Sequence, residues 1–312
     1  MILVEDGLLG LNRPVRWYLP EFTGDGKDAV MVHHLLTHTS GLRNEEVEAH
    51  AERKRGTVEI HPPHETQHPR VHQYLFPRYD APLWKPPGVE MFYCNCGYEL
   101  LGEIVRRVSG RSLAAFCQER IFQPLGMVDT CYILPGSVRH RVVRRPAHAP
   151  WADVLESYRV AETPWGCGGA CSTAMDMAVF AQMFLNRGTY GEARILSPSS
   201  VREMTRNQIP GISSHHGDQF FPEASWGLGW STREHKKSVG YAEPLHSPRA
   251  FAHGGAGGVF LWADPDYDLV GVYFSVWSGE WLPPGIHVPD QKAAFIGCID
   301  LFTNAVTAAI VD

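Results

Sequence analysis

Apolar residues recur at helical spacing in several stretches of the chain. Tyr98, Leu101, Ile104, Val105 and Val108 share one face of a 3.6-residue repeat. This predicts a helix from Asn95 that Ser109-Gly110 stops. Ser112 is placed to cap a second helix through Ala115 and Phe116 to Phe122, after which Pro124-Leu125-Gly126-Met127 turns the chain. Met177, Phe180, Ala181, Met183 and Phe184 predict a helix that begins at Ser172-Thr173-Ala174 and ends at Asn186-Arg187-Gly188. Ser197-Pro198 opens another through Val201 and Met204, with proline at the first helical position. Val30, Val32, Leu35 and Leu36 predict a helix over 28–36. Met1 to Gly7 reads as the last turn of an apolar helix whose earlier turns lie outside the chain. A closing helix is expected from about Asp290 to Val311.

Beyond residue 225 the texture changes. Trp226 to Trp230, Phe251-Ala252-His253, Val259 to Trp262 and Leu269 to Val276 are short, aromatic and β-branched, which predicts strands. Asp264-Pro265-Asp266 marks the hairpin turn between the last two. Residues 43–87 are polar, with many prolines and histidines and little periodicity, and read as a long surface insertion. Helices followed by strands and a final helix indicate an α+β fold. We expect one domain over 1–312, with a mainly helical lobe over 8–224 and a sheet portion over 225–312.

Composition narrows the function classes. Hydrophobic residues make up 44% of the 312 and charged residues 20%, enough for a packed core. The net charge of -6 argues against a nucleic-acid partner, which needs a basic surface. No apolar run reaches membrane-spanning length, and the first residues lack the basic start and cleavage site of a secretory signal. A cytoplasmic location is expected for the chain as it stands. Seven cysteines are an odd number, better suited to reduced thiols than to a disulfide framework. Neither Cys94-x-Cys96 nor Cys167-x3-Cys171 has the gap of a zinc knuckle, so no metal or other cofactor is expected.

Three constellations carry possible chemistry. His64-Glu65-Thr66-Gln67-His68 is a literal H-E-x-x-H, the spacing that sets two imidazoles on one helix face for zinc. Pro62-Pro63 before it and Pro69 after it oppose a helix there, and a solvated histidine-rich loop is the plainer reading. Tyr93-Cys94-Asn95 stands where a turn enters a helix. A phenol can move protons there and an amide can position a carbonyl. His253-Gly254-Gly255-Ala256 follows a strand, where glycines let a ligand lie along the backbone and an N–H can reach an oxyanion. A phosphate loop needs a helix next, but Val259-Phe260-Leu261-Trp262 reads as a strand, so nucleotide binding is disfavoured.

Taken together these segments resemble the β-lactamase-related serine hydrolases: class C β-lactamases, low-molecular-weight penicillin-binding proteins and family VIII-type esterases. The resemblance rests on Leu3-Val4-Glu5-Asp6-Gly7, Leu35 to Leu42, Tyr93-Cys94-Asn95, Pro124 to Met127, Gly168 to Ala174, Gly227 to Trp230 and His253-Gly254-Gly255, in the family's order. It implies an antiparallel sheet packed by helices plus a helical lobe, and acyl transfer on small esters, amides, peptides or β-lactams through a serine acyl-enzyme. It assigns Tyr93 and Asn95 to the family's Y-x-N motif, as catalytic residues. It assigns His253, Gly254, Gly255 and Ala256 to its K-T-G-type motif, as substrate-binding residues, with Ala256 N–H an oxyanion donor. Here His253 stands in place of lysine and Cys94 in place of serine.

The family's nucleophile motif is missing. The residues three before the six lysines are Gly24, Ala51, Pro82, Arg233, Glu234 and Pro289, so the chain holds no S-x-x-K. Ser40-Gly41-Leu42-Arg43 imitates it poorly, because arginine stays protonated and cannot serve as the base. We expect a chain that lacks the family's first strands and the start of the nucleophile helix. Such a chain is inactive in acylation and prone to self-association through an exposed sheet edge. A non-catalytic ligand-binding or regulatory homologue is the alternative, and a zinc peptidase using His64, Glu65 and His68 a remote one.

Overall fold

A computed structural model of the chain describes residues 1–57, 60–145, 162–216, 219–234, 245–255, 258–275 and 291–310. Ile2–Glu5 (α1) is a single turn, closed by Gly7 at a left-handed φ of 74°. Val32–Leu36 (α2) is shorter than its apolar stripe. Val30 and Met31 are extended instead, because the Val15 amide donates to the Val30 carbonyl and Met31 bridges to Pro14. Tertiary pairing outweighs local propensity there.

The stretch 43–87 departs most from expectation. It holds Asn44–Lys54 (α3) and Pro69–Leu75 (α4), and it is no surface excursion. Val47, Leu75 and Ala81 are fully buried in one cluster with Leu35, Leu100 and Ile104. Each helix contributes two buried apolar residues one turn apart, Val47 with Ala51 and Val71 with Leu75. That is too few to stand out as a stripe among Glu, Arg and His.

Glu90–Met91 (β1) leads into Asn95–Ser109 (α5), which Gly110 ends at φ 69°. Leu113–Cys117 (α6) is capped by Ser112, whose Oγ accepts the Ala115 N–H at 3.2 Å, and one π turn carries it on to Phe122. Ala174–Leu185 (α7) follows, then the hairpin Thr189–Tyr190 (β2) with Ala193–Arg194 (β3), then Pro198–Thr205 (α8). Ser213–His216 (β4) pairs parallel to β1 and antiparallel to Gln219–Phe221 (β5). This small sheet lies inside the stretch expected to be helical, where the strands are too short to pattern.

Ser231–Thr232 (β6), Phe251–Gly255 (β7), Val259–Asp264 (β8) and Leu269–Phe274 (β9) form an antiparallel sheet in that order. Residues 226–230, expected as a strand, are a turn in which Gly227 N–H donates to the Trp230 carbonyl at 2.7 Å. Gln291–Ala308 (α9) closes the described chain. The sheet is buried on both faces, as β8 makes plain. Leu261 and Ala263 pack with Phe184 and Phe251 on the α7 side, while Phe260 and Trp262 pack with Ile299 of α9. Opposite Trp262, only glycine fits at position 271, since a Cβ there would overlap the indole. Among the described residues no strand pairs with the outer edge of β9, and no helix is long and apolar enough to cross a membrane.

Candidate active site

The turn after α2 holds the segment that leads into α5. His38 sits at φ 57°, uncommon for a residue with a side chain, and is 3% exposed. Its carbonyl accepts the Phe92 N–H at 2.9 Å, and its Nδ1 accepts the Cys94 N–H at 3.1 Å. Thr39 and Gly41 carbonyls accept the Gly88 and Trp84 amides, each at 2.8 Å. The turn thus clamps residues 84 to 94 along one side. Asn44, the first residue of α3, completes the hold: its side chain donates to the Tyr93 carbonyl at 3.3 Å and accepts the Asn95 N–H at 3.0 Å.

This brings Tyr93 onto the sheet. Its ring lies 6.3 Å from that of His253 on β7, and both face Trp226, at 5.9 Å and 5.7 Å respectively. His38 forms the floor, 4.3 Å from Tyr93, 4.9 Å from Tyr98 and 5.1 Å from Trp226. Tyr93 is 44% exposed and Trp226 4%, so the cluster is closed beneath and open above. Asn95 is exposed beside Tyr93, while Cys94 points inward and is buried. Gly254 and Gly255 lie on β7, opposite Phe260 and Val259. Ala256 lies outside the described residues.

The two imidazoles have opposite tautomers. His38 Nδ1 accepts an N–H, so its proton sits on Nε2; His253 Nδ1 lies 2.7 Å from the Gly254 carbonyl and donates to it, which leaves Nε2 with its lone pair. Burial pushes the His38 pKa down to about 3, with a smaller contribution from His253. Burial likewise lowers His253, against the pull of the Gly254 carbonyl. Both rings are therefore neutral near pH 7. Elsewhere on α5, Glu99 accepts the Gly166 and Cys167 amides at 3.0 and 3.1 Å, and burial raises its pKa.

The other candidates lie elsewhere. Ser40 is buried, with its Oγ accepting the Leu42 N–H at 3.3 Å, as a turn residue does. Lys27 is buried against the Tyr79 carbonyl, Lys54 pairs with Asp80 and Lys85 with Glu90. His64 and His68 do not share a helix. His68 has an extended backbone and caps α4, with Nδ1 accepting the Arg70 N–H, while His64 Nδ1 lies beside Thr66 and Arg106. Pro69 starts a helix rather than ending one, so the zinc spacing is not realised. The sequence reading missed His38, Asn44 and Trp226. His38 and Trp226 stand within or beside segments that carry the resemblance, but nothing in a single sequence marks which member turns inward.

The family model described as Beta-lactamase matches residues 1–281. The chain belongs to the beta-lactamase family. Protein Rv1367c of Mycobacterium tuberculosis is 30% identical over 306 residues, covering 88% of this chain and 72% of that protein. A Salmonella schwarzengrund protein, provisionally named a D-alanyl-D-alanine carboxypeptidase, is 25% identical over 303 residues, covering 84% of this chain and 62% of its own length. Among solved structures, a beta-lactamase from Mycobacterium bovis superposes with a TM-score of 0.62 at 25% identity, over 98% of this chain and 80% of that one. The β-lactamase-like α+β architecture expected from the segments is thus the one adopted. In this beta-lactamase-family chain, the Tyr-x-Asn turn and the His-Gly-Gly strand face each other, with the Tyr93 and His253 rings 6.3 Å apart.

Proposed function

We propose that the Tyr93 turn and the His253 strand wall a groove that binds the acyl portion of small esters, amides or peptides, and that the 312 residues themselves do not form a serine acyl-enzyme. The apposition of Tyr93 and His253 across 6.3 Å carries the reading, since it gives one exposed proton-handling phenol opposite one neutral imidazole acceptor. Asn95, exposed beside Tyr93, would hold a carbonyl in this reading. The Gly254-Gly255 strand lets a ligand lie close to the backbone. Inactivity is supported by the lack of any S-x-x-K and by the engagement of Ser40 in its own turn. A neutral His253 supplies no fixed positive charge for a substrate carboxylate. This favours uncharged esters and amides over β-lactams.

Two measurements on the purified chain test this. Fluorophosphonate and fluorescent-penicillin labelling should give no stoichiometric adduct; a covalent adduct would show that a substitute nucleophile exists. N-acyl-D-alanine esters should bind reversibly in NMR titrations, with at least tenfold weaker binding in Tyr93→Ala. Equal binding by that variant would reject the groove.

A further inference from the structure

Outside the groove, Cys131 and Cys171 face each other across an isolated antiparallel bridge. Cys131 N–H donates to the Cys171 carbonyl at 3.0 Å, and Cys171 N–H returns the bond to the Cys131 carbonyl at 2.8 Å. Residues that exchange both bonds sit about 5.5 Å apart at Cα, inside the range of roughly 4.4–6.8 Å that disulfides span. Their side chains leave the same face of the bridge. Both residues are thiols in the structure, each about half-buried. Burial and, second to it, the nearness of Cys171 raise the Cys131 pKa, as expected of two sulfurs at close quarters. Because the bridge stands alone, with no neighbouring rungs, the Cβ atoms can close by the last ångström or so without dismantling a ladder.

We infer that Cys131 and Cys171 form a reversible cross-strand disulfide when the protein meets a small-molecule disulfide such as oxidised glutathione. One cysteine thiolate attacks a glutathione sulfur and expels the other half as a thiolate. The second cysteine thiolate then attacks the mixed disulfide and expels the remaining glutathione. The protons of the two cysteines end on two molecules of reduced glutathione, and the protein is oxidised by two electrons. The bond joins the chain just after the Met127 turn to the strand of residues just before α7, closing the segment between 131 and 171. Oxidation therefore removes freedom from the unfolded chain and staples the base of α7.

The test incubates the reduced full chain with oxidised glutathione, blocks remaining thiols, and maps a non-reducing tryptic digest. The peptide 121–139 contains Cys131 alone, while 160–187 contains both Cys167 and Cys171. We expect these two peptides linked, the link retained in Cys167→Ser and abolished in Cys171→Ser. The oxidised wild type should melt about 5 °C above the reduced form, a difference that disappears in Cys131→Ser. Absence of the linked pair in wild type, a link that persists in Cys171→Ser, or a Cys167–Cys171 bond in its place would each overturn the inference. The wild-type map needs no variant to fold, so absence of the linked pair there overturns the inference by itself, while the Cys167→Ser and Cys171→Ser maps assign the partner when the pair is present.

Discussion

His38 accepts the backbone N–H of Cys94 at 3.1 Å across 56 residues of sequence, and in the same stroke accepts that of Phe92 through its carbonyl. One residue thereby fixes the backbone on both sides of Tyr93. The bond requires an unprotonated Nδ1, and the His38 pKa of about 3 keeps it so.

Replacing His38 by Ala should cost about 3 kcal/mol, from the orphaned Cys94 amide and the hole left among Tyr93, Tyr98 and Trp226. His38→Asn should cost less, because Asn tolerates left-handed backbone and offers an acceptor. Urea denaturation of both variants checks the order.

Stability should rise with pH between about 3 and 6.5. Histidine in the unfolded chain titrates near 6.5, whereas burial holds folded His38 at about 3 and His34 and His246 at about 4. Inside that window the unfolded chain binds protons that the fold refuses, so acid drains stability as pH falls through it. From pH 7 to pH 5 each of these rings should lose about 2 kcal/mol, so the three together lose on the order of 5 kcal/mol. Urea midpoints at four pH values measure it, and a flat profile would contradict the burial of these rings.

Gly41→Ala should destabilise by more than about 2 kcal/mol. The position needs φ 81°, and a methyl there would overlap the Lys85 carbonyl oxygen, which is backbone and cannot swing aside. A thermal melt of the variant reads the effect directly.

Glu103→Ala should be among the most damaging changes far from the groove. Its carboxylate is 1% exposed and accepts from Gln67 at 3.0 Å, Arg106 at 2.8 Å twice and Arg107 at 2.7 Å. Its loss leaves a buried Arg106 without its counter-ion, at a cost of about 3–5 kcal/mol. Glu103→Gln should recover part of this, as chemical denaturation can show.

Long stripes were readable in the sequence because packing on one face repeats every turn. The α5 and α7 helices and the β7–β9 hairpins follow from Tyr98 to Val108, Met177 to Phe184 and Phe251 to Val272. What escaped was built from pairs. Val47 with Ala51 and Val71 with Leu75 bury two helices that look like a polar loop in one dimension. The strand expected at Trp226 became a turn because Gly227 must pass close to the Met204 carbonyl, where any side chain would collide. At the site, the motif residues Tyr93, Asn95 and His253 were visible as residue types in a pattern. His38 and Asn44 act through hydrogen bonds to the backbone, a role that leaves no pattern in a single chain.

The four rings of the groove come from positions 38, 93, 226 and 253, so its walls meet only after chain closures longer than a hundred residues. Such contacts carry a high entropic cost and are late events when a chain folds. The clamp of His38 on the Tyr93 segment needs the first third of the molecule alone, whereas the opposite wall waits for β7 to pair. A nascent chain that ends before β7 would present Tyr93 and Asn95 with nothing across from them. Under the proposed function, ligand capture between these walls would mark completed folding and would be sensitive to damage anywhere between residues 38 and 253.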